Sequence, residues 1–376
     1  MRVLQLISSN GFYGAEGVVV LLSSCLEGMG CDATIGLFNA SRPQQKDFLR
    51  AAKEGGVPVW DLPCSGRFDP IAVARLALYL RNSEIDVLHT HGYKANLYGL
   101  LAARLAGCRL IATCHNWTNR NASLHRYAAL DKLLLHRFDR VIAVSDTVAE
   151  ILEQEGFDDS TRLRIIPNGI DTVKYRRAAA QPSTEETLVL GALSRLQTEK
   201  GIDVLVRALP RIRQQHPQLQ CVVAGEGPER ERLLALAEEL GVADQLHLPG
   251  FCADTAAFLA TCTLVAHPSR MDGMPLAILE AMAASRPIVA SAVGSIPALL
   301  RDGEAGVLVP PDDPDALAEG ILLLLKNPGL RSRFAAAASA HVAESFDASV
   351  MARACFDVYQ DLCGVFVAMP APTRVA

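Results

Sequence analysis

At 376 residues the chain has room for two or three domains, and with half its residues hydrophobic and a fifth charged it has the composition of a globular α/β protein. Its net charge of −5 argues against a general nucleic-acid binder, although residues 1–180 carry +3 and the remainder −8. The ten cysteines are dispersed with no C-x-x-C pair, which fits free thiols in a reducing cytoplasm. The first residues lack the pattern of a signal peptide, and no run of eighteen apolar residues occurs, so no membrane span is expected.

Apolar runs alternate with helical periodicity from the start. The first half is expected to hold strands at 3–7, 33–38, 57–61, 87–90, 110–113, 140–144 and 163–166, with helices at 43–54, 70–82, 94–106, 123–137 and 146–155. Gly14 opens the first helix. Gly11, Gly14 and Gly17 are spaced G-x-x-G-x-x-G, which is not the dinucleotide fingerprint. Strands that are apolar throughout imply a parallel sheet covered on both faces, with ligands beyond the C-terminal strand ends. His89, His91 and His115 fall at such ends. His89 and His91 are assigned to opposite faces of their strand, no further ligand follows at metal spacing, and no metal is expected. Ser145 is expected to cap the helix after it rather than act as a nucleophile.

Pro167-Asn168-Gly169 is turn chemistry, and the polar, alanine-rich stretch 176–186 is taken as a linker. The second half repeats the alternation, with strands expected at 187–193, 219–224, 246–248, 264–266, 288–290 and 306–309. Helices are expected at 201–215, 228–240, 253–260, 275–285 and 314–326, and a helical stretch at 335–361 breaks near 345–347. Arg195 and Lys200, five apart on a strand-to-helix loop, suit a diphosphate, one as a fork and the other as a point charge. Pro275 is placed at the first position of a helix whose free N–H groups, near Met274, Pro275 and Leu276, would seat a phosphate. Asp272 stands before that helix and Glu280 inside it, where a carboxylate can accept from sugar hydroxyls. Asp312-Asp313-Pro314-Asp315 holds an Asp-x-Asp but is read as a helix cap.

The segment from Ser269 to Ala283, SRMDGMPLAILEAMA, resembles the donor-site motif of family 4 glycosyltransferases, retaining enzymes of GT-B fold. Their pattern is Glu-x7-Glu followed by Ala-Met-Ala. Glu280-Ala281-Met282-Ala283 fits, and Asp272 replaces the first Glu with a side chain one methylene shorter. Gly14-Ala15-Glu16 is similar to the family's Gly-Gly-x-Glu loop, with Tyr13 in place of the first glycine. His115 stands where the family carries a histidine beside the donor sugar and β-phosphate. Arg195 to Gly201 matches Gly-Arg-Leu-x-x-x-Lys-Gly, with Ser194 in place of Gly. Glu226 and Gly227 lie in a Gly-x-Gly-Pro turn that frames the nucleotide, and Gly250-Phe251 lies where the family holds the base.

The resemblance implies two Rossmann-like domains facing a cleft: an acceptor-side domain over 1–180, onto which a helix at 348–363 packs back, and a donor domain over 187–345. It implies transfer of a hexose-type sugar from a nucleoside-diphosphate sugar, such as a UDP sugar, to an acceptor hydroxyl without a metal or cofactor. His115, Arg195, Lys200 and Asp272 would be catalytic. Gly14, Ala15, Arg195, Lys200, Glu226, Gly227, Gly250, Phe251, Met274, Pro275, Leu276 and Glu280 would bind the donor. A sugar or lipid-linked acceptor in cell-surface polysaccharide or glycolipid assembly would make the protein cytoplasmic, with peripheral contact at the inner membrane face. The segment 119–137 is read as an amphipathic helix packed on the sheet through Leu124, Tyr127, Leu130, Leu133 and Leu134, its alternative being that Arg126, Lys132 and Arg137 meet an anionic lipid headgroup or lipid-linked acceptor. A nucleotide-sugar epimerase and a non-catalytic nucleotide-sugar-binding subunit are the rival functions; donor turnover separates the last from an enzyme.

Overall fold

The computed structural model describes residues 1–9, 11–12, 14–66, 68–115, 122–157, 161–180 and 188–364, with the backbone alone for 122–126. Short runs of Val, Ile and Leu, each followed by an amphipathic stretch, give strand and helix in turn. The first seven strands are β1 (Arg2–Ile7), β2 (Asp32–Phe38), β3 (Val59–Leu62), β4 (Val87–His91), β5 (Arg109–Cys114), β6 (Arg140–Ala143) and β7 (Leu163–Ile165). Between them run α1 (Gly14–Gly28), α2 (Lys46–Glu54), α3 (Pro70–Asn82), α4 (Tyr93–Ala106), α5 (Ala122–Leu135) and α6 (Asp146–Gln154). These strands form one parallel sheet ordered β3-β2-β1-β4-β5-β6-β7, which reverses direction between β1 and β4, where Ile7 faces His91.

After α7 (Thr172–Ala179) the pattern recurs. The elements are β8 (Val189–Leu193), α8 (Ile202–Arg213), β9 (Gln220–Ala224), α9 (Arg230–Glu239), β10 (Leu246–Gly250), α10 (Thr255–Thr261), β11 (Leu264–His267), α11 (Leu276–Ala283), β12 (Ile288–Ser291), α12 (Ile296–Leu299) and β13 (Val307–Val309), then α13 (Pro314–Lys326), α14 (Pro328–Ser345) and α15 (Ala348–Cys363). The second sheet is parallel, ordered β10-β9-β8-β11-β12-β13, and reverses between β8 and β11. In both sheets that reversal leaves a crevice at the C-terminal strand ends.

Each sheet is buried between helices. In the second, Leu190, Ala192 and Val223 pack with Leu205 and Leu209 of α8 and Ile321 and Leu324 of α13. In the first, Ile7, Ile35 and Leu37 pack with Val19 of α1 and Phe48 of α2. Burying one such side chain is worth about 1.5–3 kcal/mol. Helix starts are set by acids and hydroxyls: Asp69 accepts from the backbone N–H of Ile71 at 3.0 Å, Asp171 from Lys174 at 2.9 Å, Asp254 from Ala257 at 3.1 Å and Ser145 from Val148 at 3.3 Å. Asp313 caps α13 through Ala316 N–H at 2.8 Å, and Asp312 turns instead to Arg270. The acidic run therefore serves the helix and a loop.

The chain divides into two compact units. One is Met1–Gly169 with α15, the other Ile170–Asp347. The boundary thus falls at Gly169–Ile170 rather than at residue 180. The stretch taken as a linker begins as helix: Asp171 caps α7, whose Tyr175 bonds to Thr255 of α10 at 2.9 Å. Alanine and arginine are good helix formers, and only a narrow face of α7 is apolar, so it reads as linker from composition. The remainder of that stretch, 181–186, lies outside the described residues. Pro275 has extended backbone (φ −74°, ψ 111°) and precedes α11 as its cap, so the helix begins at Leu276.

Candidate active site

The second unit gathers its polar residues beyond β8, β9, β10 and β11. The loops after β8 and β9 are joined by backbone alone: Ser194 N–H donates to Ala224 O at 3.1 Å, Leu196 N–H to Glu226 O at 2.8 Å and Glu229 N–H to Leu196 O at 3.1 Å. Gly227 makes this possible, because a Cβ there would collide with the Leu196 carbonyl. Glu226 is exposed and accepts weakly from Phe251 N–H at 3.4 Å, next to Gly250 at the end of β10. Phe251 is half exposed, an open apolar face beside that turn.

The loops after β8 and β11 are tied more strongly. Gly201, with φ +62°, lies so close to Pro268 that a side chain would strike its carbonyl. Arg270 donates to both oxygens of buried Asp203 on α8, at 2.8 and 3.0 Å, and to Asp312 at 2.5 Å, while its own N–H bonds Glu199 O at 2.9 Å. One oxygen of Asp272 then collects three groups: Lys200 Nζ at 2.6 Å, His267 Nε2 at 3.0 Å and Ser269 Oγ at 3.1 Å. The Lys200 and Asp272 side chains are only 15% and 11% exposed. Burial alone would raise the Asp272 carboxyl, but the hydrogen bonds and charges of His267 and Lys200 outweigh it and hold it well below the usual range. Lys200 is therefore already paired before any ligand arrives. Arg195 is exposed, with no ion pair to a described residue.

Met274 and Pro275 are buried and Leu276 half-buried at the start of α11, whose first N–H groups lack side-chain caps. Glu280 sits on the same helix with Tyr175 of α7 and Thr255 of α10, both of which hydrogen-bond it. Burial pushes its carboxyl up to about 7 against the opposing pull of Tyr175, Lys174 and Thr255. The sequence analysis missed Tyr175, Thr255, His267, Ser269 and Arg270. His267, Ser269 and Arg270 lie within five residues of Asp272, a proximity that could have flagged them; for Tyr175 and Thr255 no local signal exists.

The first unit carries Gly14 and Ala15 at the start of α1 and His115 just after β5. Tyr13 lies outside the described residues. His89 and His91 do not diverge: residues two apart on a strand share a face, and their ring centres are 4.4 Å apart. Both are buried, and His91 Nδ1 meets His115 Nε2 at 3.3 Å. Burial lowers His89 to about 3, helped by His115, and His115 to about 4, and it drives His91 well below 6.5. Of the α5 residues expected to pack, Tyr127, Leu130 and Leu133 are exposed and Leu134 is half-buried, whereas Ala128, Asp131 and Leu135 are buried, with Asp131 accepting from Asn96 at 2.7 Å. Arg137 is exposed, and Lys132 pairs with Glu155 at 2.8 Å. Residues 119–121 and the side chains of Leu124 and Arg126 lie outside the described residues. No helix among the described residues is long and apolar enough to cross a membrane.

Two family models match the chain: Glycosyltransferase Family 4 over residues 12–174 and Glycosyl transferases group 1 over residues 175–341. A phosphatidyl-myo-inositol mannosyltransferase of Mycobacterium tuberculosis is 31% identical over 313 residues, covering 79% of each chain. A D-inositol 3-phosphate glycosyltransferase of Salinispora arenicola is 32% identical over 301 residues, 70% of this chain and 66% of that one. Among solved structures, Anabaena Alr3699/HepE in complex with UDP-glucose superposes with a TM-score of 0.83 at 24% identity, over 96% of this chain and all of the other. The fold of that neighbour, GT-B, is the fold of this chain.

Two predictions follow from the geometry. Histidines held neutral below their unfolded pKa contribute stability that is full above about pH 6.5 and is lost as the pH falls toward 4, because the unfolded chain then binds more protons. Glu280, with a raised pKa, has the opposite sign: its contribution is present below about pH 4.5 and lost as the pH rises through 7. Hydrogen exchange at pH 7 and pH 5, corrected for intrinsic rate, should show amides of β4 and β5 losing protection on acidification while those of α11 do not. Secondly, Lys200→Met should cost roughly 3 kcal/mol in denaturant unfolding, since it strands a buried carboxylate. Adding Asp272→Asn should recover most of that loss; additive losses would mean the pair is not coupled.

Proposed function

Since the chain belongs to the group 1, family 4 glycosyltransferases, we propose that it moves a hexose-type residue from a UDP-type sugar to an acceptor hydroxyl with retention at the anomeric carbon. The observation that carries this is the buried pair of Lys200 with Asp272, on the loop that leads into the start of α11, where the second sheet reverses. Arg195, Lys200 and the α11 N–H groups would take the leaving diphosphate, and preorganised donors of this kind are each worth about 10²–10³ in rate. Glu280 would accept from the ribose hydroxyls. Asp272, through its second oxygen, would meet the sugar. Gly250 and Phe251 would border the base. Charge stabilisation of this kind needs no metal, and activity surviving a chelator is the check. An epimerase or a mere binding subunit is disfavoured by family membership, and transfer or hydrolysis of a donor excludes the binding subunit.

The acceptor reading rests on α5. Tyr127, Leu130 and Leu133 of α5 are exposed, and Leu133 borders a depression shared with Arg104 and Arg137, which suits an anionic lipid surface. The phosphatidyl-myo-inositol mannosyltransferases among the relatives favour a lipid-linked acceptor reached at the inner membrane face.

Calorimetry separates the roles of the two acids. Ribose hydroxyls donate, so Glu280 must be ionised to receive them. UDP affinity should therefore rise with pH below 7, by at most about tenfold per unit, and Glu280→Gln should weaken and flatten it. Asp272→Asn releases Lys200 and should leave UDP affinity equal or higher while turnover of the UDP sugar falls. Parallel losses of UDP affinity in both variants would sink this division. For the acceptor, sedimentation with anionic vesicles at low salt should exceed that with neutral ones and fall when Leu130, Leu133 and Arg137 are replaced by Gln. Equal binding to both vesicle types would point to a soluble acceptor.

A further inference from the structure

In the first unit six side chains form one unbranched hydrogen-bonded series. His89 Nε2 meets Thr113 Oγ1 at 2.7 Å, and His89 Nδ1 meets the Tyr359 hydroxyl of α15 at 2.6 Å. Gln5 of β1 donates through Nε2 to that same hydroxyl at 3.1 Å. Its Oε1 meets His91 Nε2 at 2.8 Å, and His91 Nδ1 meets His115 Nε2 at 3.3 Å. Gln5, His89, His91 and Tyr359 are each at most 3% exposed, so bulk water does not compete for these links.

A neutral imidazole has one donor nitrogen and one acceptor, and an amide has a donor end and an acceptor end. In an unbranched series each link therefore fixes the next. Gln5 Oε1 is an acceptor, so the His91 proton sits on Nε2 and His91 Nδ1 accepts. His115 must then donate from Nε2. At the other end the Tyr359 hydroxyl, already accepting from Gln5, donates to His89 Nδ1, and His89 Nε2 donates to Thr113. Reversing any one link would reverse them all, and the amide of Gln5 is the point where the sense is set. The low proton affinity of the three rings keeps each of them neutral near pH 7.

We propose that Gln5, His91 and Tyr359 are positioning residues that hold His115 as its Nε2–H tautomer and so present a bare Nδ1, to which no described residue bonds, as a hydrogen-bond acceptor for a hydroxyl of the substrate. A bare nitrogen accepts from a sugar O–H and repels a phosphate oxygen. The opposite tautomer would suit the phosphate. His115 is thereby assigned to the sugar and not to the diphosphate. This last step rests on the donor reading above; the tautomer itself does not.

The full chain labelled with ¹⁵N-histidine and read by long-range ¹H–¹⁵N correlation tests both parts. Of the nine histidines, three are assigned by loss of signal in His89→Gln, His91→Gln and His115→Gln. Without ligand, all three rings should be protonated on Nε2. Any of them protonated on Nδ1 overturns the proposal. Tyr359→Phe touches neither His91 nor His115, yet by freeing the Gln5 amide to turn it should replace their single-tautomer patterns with averaged ones. Gln5→Leu should do the same from the next link, and covers the case in which the first variant fails to fold. Unchanged His115 signals in a folded variant overturn the relay. With ligand, His115 Nδ1 should shift on adding a turned-over UDP sugar and not on adding UDP, and Tyr359→Phe should lower kcat while UDP affinity stays constant. An equal shift with UDP alone overturns the assignment to the sugar. If no UDP sugar is turned over, the donor reading fails while the ligand-free tautomer result still stands or falls by itself.

Discussion

One carboxylate oxygen ties the second unit together. Asp272 Oδ2 receives Lys200 from the loop after β8 and His267 and Ser269 from the end of β11, across the point where strand order reverses. Parallel sheets leave a crevice at that reversal, and a crevice lined by loops has no shape of its own. The shape here comes from charge and close backbone contact. Arg270 clamps both loops to Asp203, and Gly201 and Gly227 let main chain meet main chain where a side chain would intrude. The cost of taking Lys200 and Asp272 out of water is offset only because the acid has further donors, as a buried pair requires. Such a pair is also a reservoir. On the proposed reading, an arriving diphosphate would compete with Asp272 for Lys200, so ligand charge would be accommodated without importing a new cation.

The fold was legible because the periodicity is strong. Helix α3 and helix α13 fall where the spacing places them, each announced by an aspartate and a proline. The two parallel sheets follow from strands apolar along their whole length. What was not legible had no local signal. Helix α7 is short, rich in Ala and Arg, and shows its purpose only when Tyr175 is seen against Thr255 and Glu280. The face of α5 was misjudged because it is turned on its axis: Ala128 and Leu135 are buried with Asp131, which meets Asn96, while Tyr127, Leu130 and Leu133 are exposed. Lys200 and Asp272 stand out in the sequence as motif positions. Their pairing does not: nothing in sequence spacing says that Lys200 and Asp272, 72 residues apart, share a proton-thin gap of 2.6 Å.

Replacing glutamate by aspartate at position 272 acquires a physical meaning in this setting. A longer side chain would carry its carboxylate farther from the loop that bears it. Aspartate keeps the charge within reach of Ser269 and His267, its near neighbours in sequence, and of Lys200. One oxygen is then fully committed to holding the loop, which leaves the second as the group available to a ligand. On the proposed reading, structural support and recognition are divided between the two oxygens of a single residue.

The two units solve the problem of buried polarity in different ways. In the second, charges are buried as a pair and remain charged, because each finds a partner. In the first, the polar groups beneath the strand ends are neutral, and they are satisfied in series, with Tyr359 of the last helix closing the row. A series is more demanding than a pair, since one unsatisfied member leaves a donor or acceptor in a dry interior at about 1–3 kcal/mol. It also transmits a sense of direction, which a pair does not. That is why the final helix belongs to the row of polar groups in the first unit as much as to its packing: without the hydroxyl of Tyr359, the amide nitrogen of Gln5 loses the partner it has here, and the His91–His115 end of the row is cut from its other half.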